Sequence, residues 1–216
     1  DILGNNSKKQ VLITGGIAGG NYEKIQYCYN IGNVTVDADN IENLEINGIG
    51  SGASIVNSYN IGEICKKGNN NNESSVQNVY ISGIGGRKVN TSNYNIGNIN
   101  IDTSKAGYAT GIGYIITDNA IFNNCYNVGK IISTGKNIAT GALAGWTTNQ
   151  TIENCKWLKG TADKGIANKG PSVNDTSVMA ENIADMPSII DVVGDNFIED
   201  SKNINGGYPI LKWQEN

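Results

Sequence analysis

The tetrapeptide Tyr59-Asn60-Ile61-Gly62 occurs four times in this chain, once with Val in place of Ile. Successive copies are 30, 35 and 32 residues apart. The other copies are Tyr29-Asn30-Ile31-Gly32, Tyr94-Asn95-Ile96-Gly97 and Tyr126-Asn127-Val128-Gly129. Self-similarity at a period of about 20 to 50 residues is typical of solenoids and other repeat architectures. The chain is therefore predicted to consist of stacked copies of one small unit.

A second, glycine-rich element precedes each copy, as in Asn47-Gly48-Ile49-Gly50 and Thr110-Gly111-Ile112-Gly113. A fifth, degenerate copy of the first element follows at Asn154-Cys155-Lys156-Trp157-Leu158. Units with only two or three short strands cannot close a core alone, but stacked units can pair each strand with its counterpart about 4.8 Å away. We therefore predict an all-β fold, a parallel β-solenoid (β-helix) of about five Gly-rich repeats.

Two other repeat architectures have comparable periods and are less consistent with this sequence. A β-propeller needs about 40 to 50 residues for each four-stranded blade, more than these units contain. Ankyrin and tetratricopeptide repeats are helical, and glycine in a helix interior costs about 1 kcal/mol. The longest interval contains Gly68-Asn69-Asn70-Asn71-Asn72-Glu73, which is predicted to be a loop inserted into one turn.

The sequence changes character near residue 170, so we predict a β-solenoid over 1–170 and a small α/β C-terminal cap over 171–216. Ser177 is predicted to cap a helix carrying Met179, Ile183 and Met186 at helical spacing. A second short helix is expected between Pro187 and Gly194. The strand candidates are Phe197-Ile198 and Ile210-Leu211. We expect this cap to lie over the open end of the solenoid, where unpaired strands would otherwise invite aggregation.

Composition excludes some classes of function. The net charge is -4 and Arg87 is the only arginine, so the basic stripe that nucleic-acid binding requires is missing. The doublet Lys66-Lys67 is interpreted as part of a solvated loop. No apolar run reaches the ~20 residues that span a bilayer, so no membrane span is predicted in this fragment.

Few residues suggest catalysis, and we predict no catalytic residue, no metal site and no cofactor. The carboxylates at Asp37, Asp39, Glu42 and Glu45 could serve acid-base chemistry or bind calcium, but we expect exposed loop acids there. The Gly-x-Gly-Gly stretches lack the Lys-Ser/Thr pair of a phosphate loop, which favours glycines that serve turns or close packing.

The repeat also predicts columns of identical side chains. The tyrosines could form a surface ladder that stacks on sugars, or a ladder packed inside the coil or along a rung edge with its hydroxyls bonded to a turn. Each following Asn is expected in a turn or an inward-facing amide ladder. Cys28, Cys125 and Cys155 share one repeat position with Ser58 and Asn93, which is typical of a small core residue. Adjacent turns would permit a Cys125–Cys155 disulfide, and both redox states stay open. Cys65 lies outside this column and is expected to be free.

Gly-Ile-Gly-Gly stretches combined with Asn-Ser-Tyr-Asn-Ile-Gly segments resemble the GLUG-repeat family of exported Gram-positive, clostridial-type surface proteins. The resemblance covers nearly the whole chain, and it transfers no catalytic residues. It implies a non-catalytic structural or adhesive module at the cell surface or outside the cell, joined to other domains of a longer polypeptide. The alternative is a carbohydrate- or protein-binding accessory module of a secreted enzyme, with glycans or proteins of the host or cell wall as partners. The binding residues are unknown at this point.

Overall fold

In a computed structural model, the chain winds into a parallel β-solenoid of about four turns followed by a small α/β C-terminal cap. The structure describes residues 2–67, 78–115, 120–182, 185 and 190–215. The fold class predicted from the repeat is thereby confirmed. The predicted loop insertion at positions 68–73 lies outside the described residues.

Four parallel sheets run along the solenoid, with strands numbered in chain order. The first sheet contains β1 (Ile2–Gly15), β4 (Val34–Asn47), β7 (Ile64–Lys67), β8 (Asn78–Ser82), β11 (Ile99–Ile101), β12 (Ala106–Thr110), β16 (Ile131–Ser133) and β17 (Ile138–Gly141). The second contains β2 (Ala18–Gln26), β5 (Gly50–Val56), β9 (Val89–Thr91), β14 (Ile121–Asn123), β19 (Thr151–Glu153) and β22 (Asn174–Asp175).

The third sheet carries the Tyr-Asn elements and contains β3 (Tyr29–Asn30), β6 (Tyr59–Asn60), β10 (Tyr94–Asn95), β15 (Tyr126–Asn127), β20 (Lys156–Leu158) and β23 (Val178–Ala180). The fourth contains β13 (Gly113–Ile115), β18 (Ala144–Thr147) and β21 (Ile166–Lys169). A helix α1 (Ile190–Val193), an antiparallel pair β24 (Phe197–Ile198) and β25 (Ile210–Leu211), and a 3₁₀ turn (Lys212–Gln214) complete the described chain.

Equivalent residues stack in register, because the parallel strands repeat the same sequence. Tyr59 pairs with Tyr29 on one side and with Tyr94 on the other. Inside the coil, the Ile or Leu of four successive glycine-rich stretches forms a fully buried column of Ile49, Ile84, Ile112 and Leu143. These columns remove apolar surface from water in every turn, and that burial is the main favourable contribution to folding.

The chain turns into the third sheet at the residue two positions before each Tyr-Asn element. The φ angle of this residue lies in the left-handed region. The φ values lie between 50° and 55° at all five positions, which are Tyr27, Asn57, Ser92, Asn124 and Asn154. Asn adopts this conformation more readily than most side chains, since its short amide can bond locally. Asn occupies three of these five positions, which form one corner of the solenoid that we call the left-handed corner.

The helix predicted after Ser177 is wrong at its beginning. Val178–Ala180 is strand β23, and Val178 and Met179 pair in parallel with Lys156 and Trp157 of the preceding turn. The open edge of that turn supplies hydrogen-bond partners that helical spacing alone could not reveal. Ile183, Met186 and Pro187 lie outside the described residues. The domain boundary placed at residue 170 stays a prediction.

The remaining C-terminal elements follow the sequence more closely. Helix α1 ends at Gly194, whose φ is 85° and whose N–H donates to the Ile190 carbonyl. The two predicted strands pair as an antiparallel hairpin, with Phe197 opposite Leu211. Among the described residues, no helix has the length and apolarity required to cross a lipid bilayer.

The C-terminal segment, residues 190–215, does not occupy the predicted place over the end of the solenoid. Val193, Phe197 and Leu211 share one buried cluster with Tyr59, Tyr94 and Tyr126. The segment therefore runs along the side of the rod, across several turns. The tyrosine column offers more apolar area for burial there than a single terminal turn could.

Candidate functional site

The tyrosine column, Tyr29, Tyr59, Tyr94 and Tyr126, stands on the outer surface of the coil. Adjacent ring centroids are 5.3, 4.9 and 4.9 Å apart, and the rings are within 9° of parallel. Side chains alternate between the two faces of a strand, so an outward Tyr places the next residue, Asn, inside. An outward column fits a ladder that is exposed to sugars as well as one packed along a rung edge. What covers the column distinguishes the two.

The C-terminal segment covers most of this column. Tyr94 and Tyr126 are fully buried and Tyr59 is 8% exposed, whereas Tyr29 is 48% exposed. The Tyr94 hydroxyl donates to Oε1 of Gln214 at 3.0 Å, and the Tyr126 hydroxyl donates to the Pro209 carbonyl. Burial raises the pKa of Tyr126 well above its ordinary value. Three of the four rings are thus packed against the protein and unavailable to a sugar.

The asparagines form a ladder of amide hydrogen bonds inside the coil. Nδ2 of Asn30, Asn60 and Asn95 donates to Oδ1 of the next Asn at 2.7, 2.8 and 2.8 Å. Each of these Nδ2 groups, and that of Asn127, also donates to the carbonyl of the glycine two residues on. The inward-facing amide ladder expected from the sequence is therefore present.

The ladder explains the glycine-rich stretches. A Cβ on Gly48, Gly83 or Gly111 would lie 2.5, 2.3 or 2.3 Å from the amide carbon of the facing Asn. Real Cβ atoms do not approach so closely, so these positions exclude every residue except glycine. The glycines make room for the asparagine ladder, which accounts for the stretches without a phosphate loop.

Of the four candidate carboxylates, the three with described side chains form no metal-binding group. Asp37 is exposed, Glu42 is half-buried, and the side chain of Asp39 lies outside the described part of the chain. Glu45 departs from the expectation of an exposed loop acid, because it lies in strand β4 and is only 4% exposed. In the described residues, no group of three metal-ligating side chains could hold an ion.

Glu45 pairs with Arg87, the only arginine of the sequence. Nη2 of Arg87 lies 2.5 Å from Oε2 of Glu45, and its Nε donates to the Tyr114 hydroxyl at 2.9 Å. Nδ2 of Asn47 donates to the other oxygen of Glu45 at 3.0 Å. Burial and the adjacent Glu45 raise the pKa of the Tyr114 hydroxyl. A cleft of about 340 Å³, lined also by Val11 and other residues, adjoins this cluster.

The polar groups of this cluster satisfy one another. Both oxygens of Glu45 accept hydrogen bonds from protein donors, so neither is poised to take a proton from a substrate. The arrangement has the features of a buried structural ion pair. Sequence reasoning missed it, because Glu45 and Arg87 are brought together only by the stacking of neighbouring turns.

Lys66 also departs from its predicted environment. It lies in strand β7 between Val36 and Ile101 of the adjacent turns and is 1% exposed, so the doublet is not a solvated loop. Its ammonium donates to the Lys67 carbonyl. Strand pairing fixes which face each residue takes, and that places Lys66 inside and Lys67 at the surface.

All four cysteines carry free thiols. Cys125 and Cys155 are fully buried in the core, and Cys28 packs against the same cluster. Burial raises the pKa of the Cys155 thiol, and the neighbouring Cys125 adds to the effect. The shared repeat position is therefore a core position, and Cys65 lies apart from it on β7.

A second cleft of about 280 Å³ lies at the left-handed corner, beside the end of the C-terminal segment. Its walls are Tyr27, Asn57, Asn196, Lys212 and Trp213. The Trp213 indole N–H donates to the Asn57 carbonyl at 3.1 Å, which joins the C-terminal segment to the solenoid. None of these five residues was singled out from the sequence, since the cleft forms only where distant parts of the chain meet.

No protein-family model, curated protein or solved structure matches this chain. The resemblance to GLUG repeats rests on the residues quoted for it and stays a prediction.

Proposed function

We propose that this chain is a non-catalytic structural and adhesive repeat module of a secreted or cell-surface bacterial protein. The observation that supports it is the pair of continuous ladders, with stacked tyrosines outside and hydrogen-bonded asparagines inside, which connect four successive turns. A module that holds a neighbouring domain at a distance needs this kind of turn-to-turn connection along its axis.

The ladders favour stiffness for a physical reason. Bending the rod would separate stacked rings at 4.9 Å and amides at 2.8 Å on the outer side of the bend. Solenoid turns contact only their neighbours, so the strength of each interface sets the rigidity of the whole. The C-terminal segment adds a further connection across the same turns, since Trp213 contacts both Tyr29 and Tyr59.

The partners proposed for this role are the other domains of a longer polypeptide, together with glycans or proteins of the host or cell wall. Locating the native protein tests the proposal. An antibody raised against this chain should label intact, unpermeabilised cells of the source organism, and an in-frame deletion of the repeats should weaken attachment of those cells to a surface. A second antibody, against a cytosolic enzyme of the same cells, serves as the control and should label nothing before permeabilisation. Labelling of this chain only after permeabilisation would refute the proposal.

A second candidate function, a carbohydrate-binding accessory module, is favoured by one specific feature. The cleft at the left-handed corner combines an exposed aromatic ring, Tyr27, with amide side chains from Asn57 and Asn196. Glycan binding at such a cleft is compatible with either an adhesive stalk or an accessory module of a secreted enzyme. A measured hydrolase or lyase activity of the chain on uronic-acid polymers would count against both candidates.

A further inference from the structure

The cleft at the left-handed corner has the aromatic walls of a sugar-binding site. Tyr27 is 56% exposed, and its ring centroid is 6.2 Å from that of Trp213 at an interplanar angle of 84°. Tyr29, at the open end of the tyrosine column, lies 6.3 Å from Trp213 but does not line the cleft. Aromatic rings bring large apolar contact area at little conformational cost, and Tyr and Trp keep a polar group at the edge.

The walls are held in place before any ligand arrives. The indole N–H of Trp213 is fixed on the Asn57 carbonyl, and Nδ2 of Asn196 donates to the Ser92 hydroxyl at 2.8 Å. Tyr27 and Asn57 both occupy the left-handed turn position, with φ of 53° and 50°, which restricts their backbones. A preformed site binds more tightly, because less conformational freedom is lost on binding.

One buried polar atom in the cleft wall lacks a partner. Oδ1 of Asn57 is buried and accepts no hydrogen bond from any described residue. Almost all buried polar atoms of folded proteins have a partner, so an unpartnered acceptor requires an explanation. Because Oδ1 is closed to solvent in the free protein, a ligand hydroxyl would donate to it once the Asn57 amide turns toward the cleft.

We propose that this cleft binds one pyranose ring of a glycan. A pyranose presents an apolar C–H face to an aromatic ring and hydroxyl donors at its rim, which matches the rings of Tyr27 and Trp213 and the amide of Asn57 among the residues that line the cleft. The volume of about 280 Å³ suits a single ring. Lys212 at the rim adds a positive charge that would favour an acidic sugar. The inference deepens the second candidate function, carbohydrate binding, and does not depend on the structural role proposed first.

The three tryptophans of the chain allow a direct test by NMR. The ¹⁵N-labelled protein gives one indole N–H signal each for Trp146, Trp157 and Trp213, and single Trp→Phe variants assign them. Cellobiose, di-N-acetylchitobiose and digalacturonate are titrated in turn, to separate neutral, acetamido and acidic sugars. We expect saturable shifts of the Trp213 signal, with a Kd on the order of 1 mM for the preferred sugar.

Two variants preserve the backbone and remove the binding groups. Tyr27→Asn introduces the residue that the fold itself uses at this turn position in other turns, and should weaken binding at least tenfold. Asn57→Gly tolerates the positive φ, keeps the carbonyl bonded to Trp213, and should weaken binding about tenfold. The matched control, Tyr22→Asn, alters an exposed tyrosine that does not line the cleft and should bind as the unaltered chain does.

Three results would overturn the inference. The first is that the Trp213 signal stays unshifted with all three disaccharides at roughly twentyfold excess over the expected Kd. The second is that Trp146 and Trp157 shift as much as Trp213, which indicates nonspecific contact. The third is undiminished binding by folded Asn57→Gly protein. None of these results bears on surface localisation, so the proposed structural role would be judged separately.

Discussion

Replacing Asn95 with alanine would interrupt the asparagine ladder at its centre. Asn95 is fully buried and makes three side-chain hydrogen bonds. Its Nδ2 donates to the Gly97 carbonyl at 2.9 Å and to Asn127 Oδ1 at 2.8 Å, and its Oδ1 accepts from Asn60 at 2.8 Å. The substitution would leave three buried groups without partners.

The expected loss follows from those three groups. A buried polar group deprived of its partner costs about 1 to 3 kcal/mol, so the loss of three partners should lower the free energy of unfolding by about 3 to 9 kcal/mol. Domains of this kind are typically stable by about 5 to 15 kcal/mol, which makes the loss a large part of the total. With an m-value of about 2 kcal/mol/M, the urea midpoint should fall by about 1.5 to 4.5 M.

Asn30→Ala is the matched control, because Asn30 begins the described ladder. Its amide donates to the Gly32 carbonyl, which is exposed and can bond to water instead, and to Asn60 Oδ1. Only one buried group, Asn60 Oδ1, therefore loses its partner. We expect a loss of about 1 to 2 kcal/mol there. Urea unfolding would be followed by both circular dichroism and tryptophan fluorescence, since agreement between them supports a two-state treatment. An equal loss in the two variants would refute the idea that the ladder acts through its buried amides.

Three further predictions concern packing, charge and pH. Gly97→Ala should destabilise the fold by about 1 to 3 kcal/mol or more, because a Cβ there would lie 2.1 Å from a carbonyl oxygen of the preceding turn. The control is Gly32→Ala, which should leave the thermal midpoint nearly unchanged, because its Cβ would have no neighbour nearer than 3.8 Å. Arg87→Met should lower the free energy of unfolding in urea by about 2 to 4 kcal/mol, because it leaves the Glu45 carboxylate buried without its cation. Adding Glu45→Gln should recover most of that loss, and no recovery would contradict the ion-pair assignment. Burial raises the pKa of Tyr126 above its value in the unfolded chain, so the contribution of Tyr126 to stability is complete below about pH 10 and declines above it. The urea midpoint should therefore fall between about pH 10 and 11, and it should fall less steeply in Tyr126→Phe.

The columns of the solenoid could be predicted from the sequence because each is a local pattern repeated at one period. A tyrosine followed by an asparagine places one side chain outside and the next inside a strand, whichever turn contains it. Stacking of identical turns then puts Tyr59 beside Tyr94 and Asn60 beside Asn95 without further information. The same reasoning identified Cys125 and Cys155 as core residues.

Contacts and strands that occur only once in the chain were not predicted from the repeat. The burial of Lys66, the pairing of Glu45 with Arg87 and the strand at Val178–Ala180 each occur once, so no period exposes them. Met179 shows the physical cause most clearly. Its helical spacing was a local signal, and an open strand edge provided by an earlier turn outweighed it.

The sequence by itself determined the parallel stack of Gly-rich turns and the columns of tyrosines and asparagines, since these follow from strand geometry and a common period. Only the tertiary structure decided that the C-terminal segment lies along the tyrosine column, with Trp213 against Tyr59 and the corner cleft beside it. The physical reason is that docking of a nonrepeated segment depends on which exposed apolar surface offers the greatest burial. That surface exists only after the solenoid has folded.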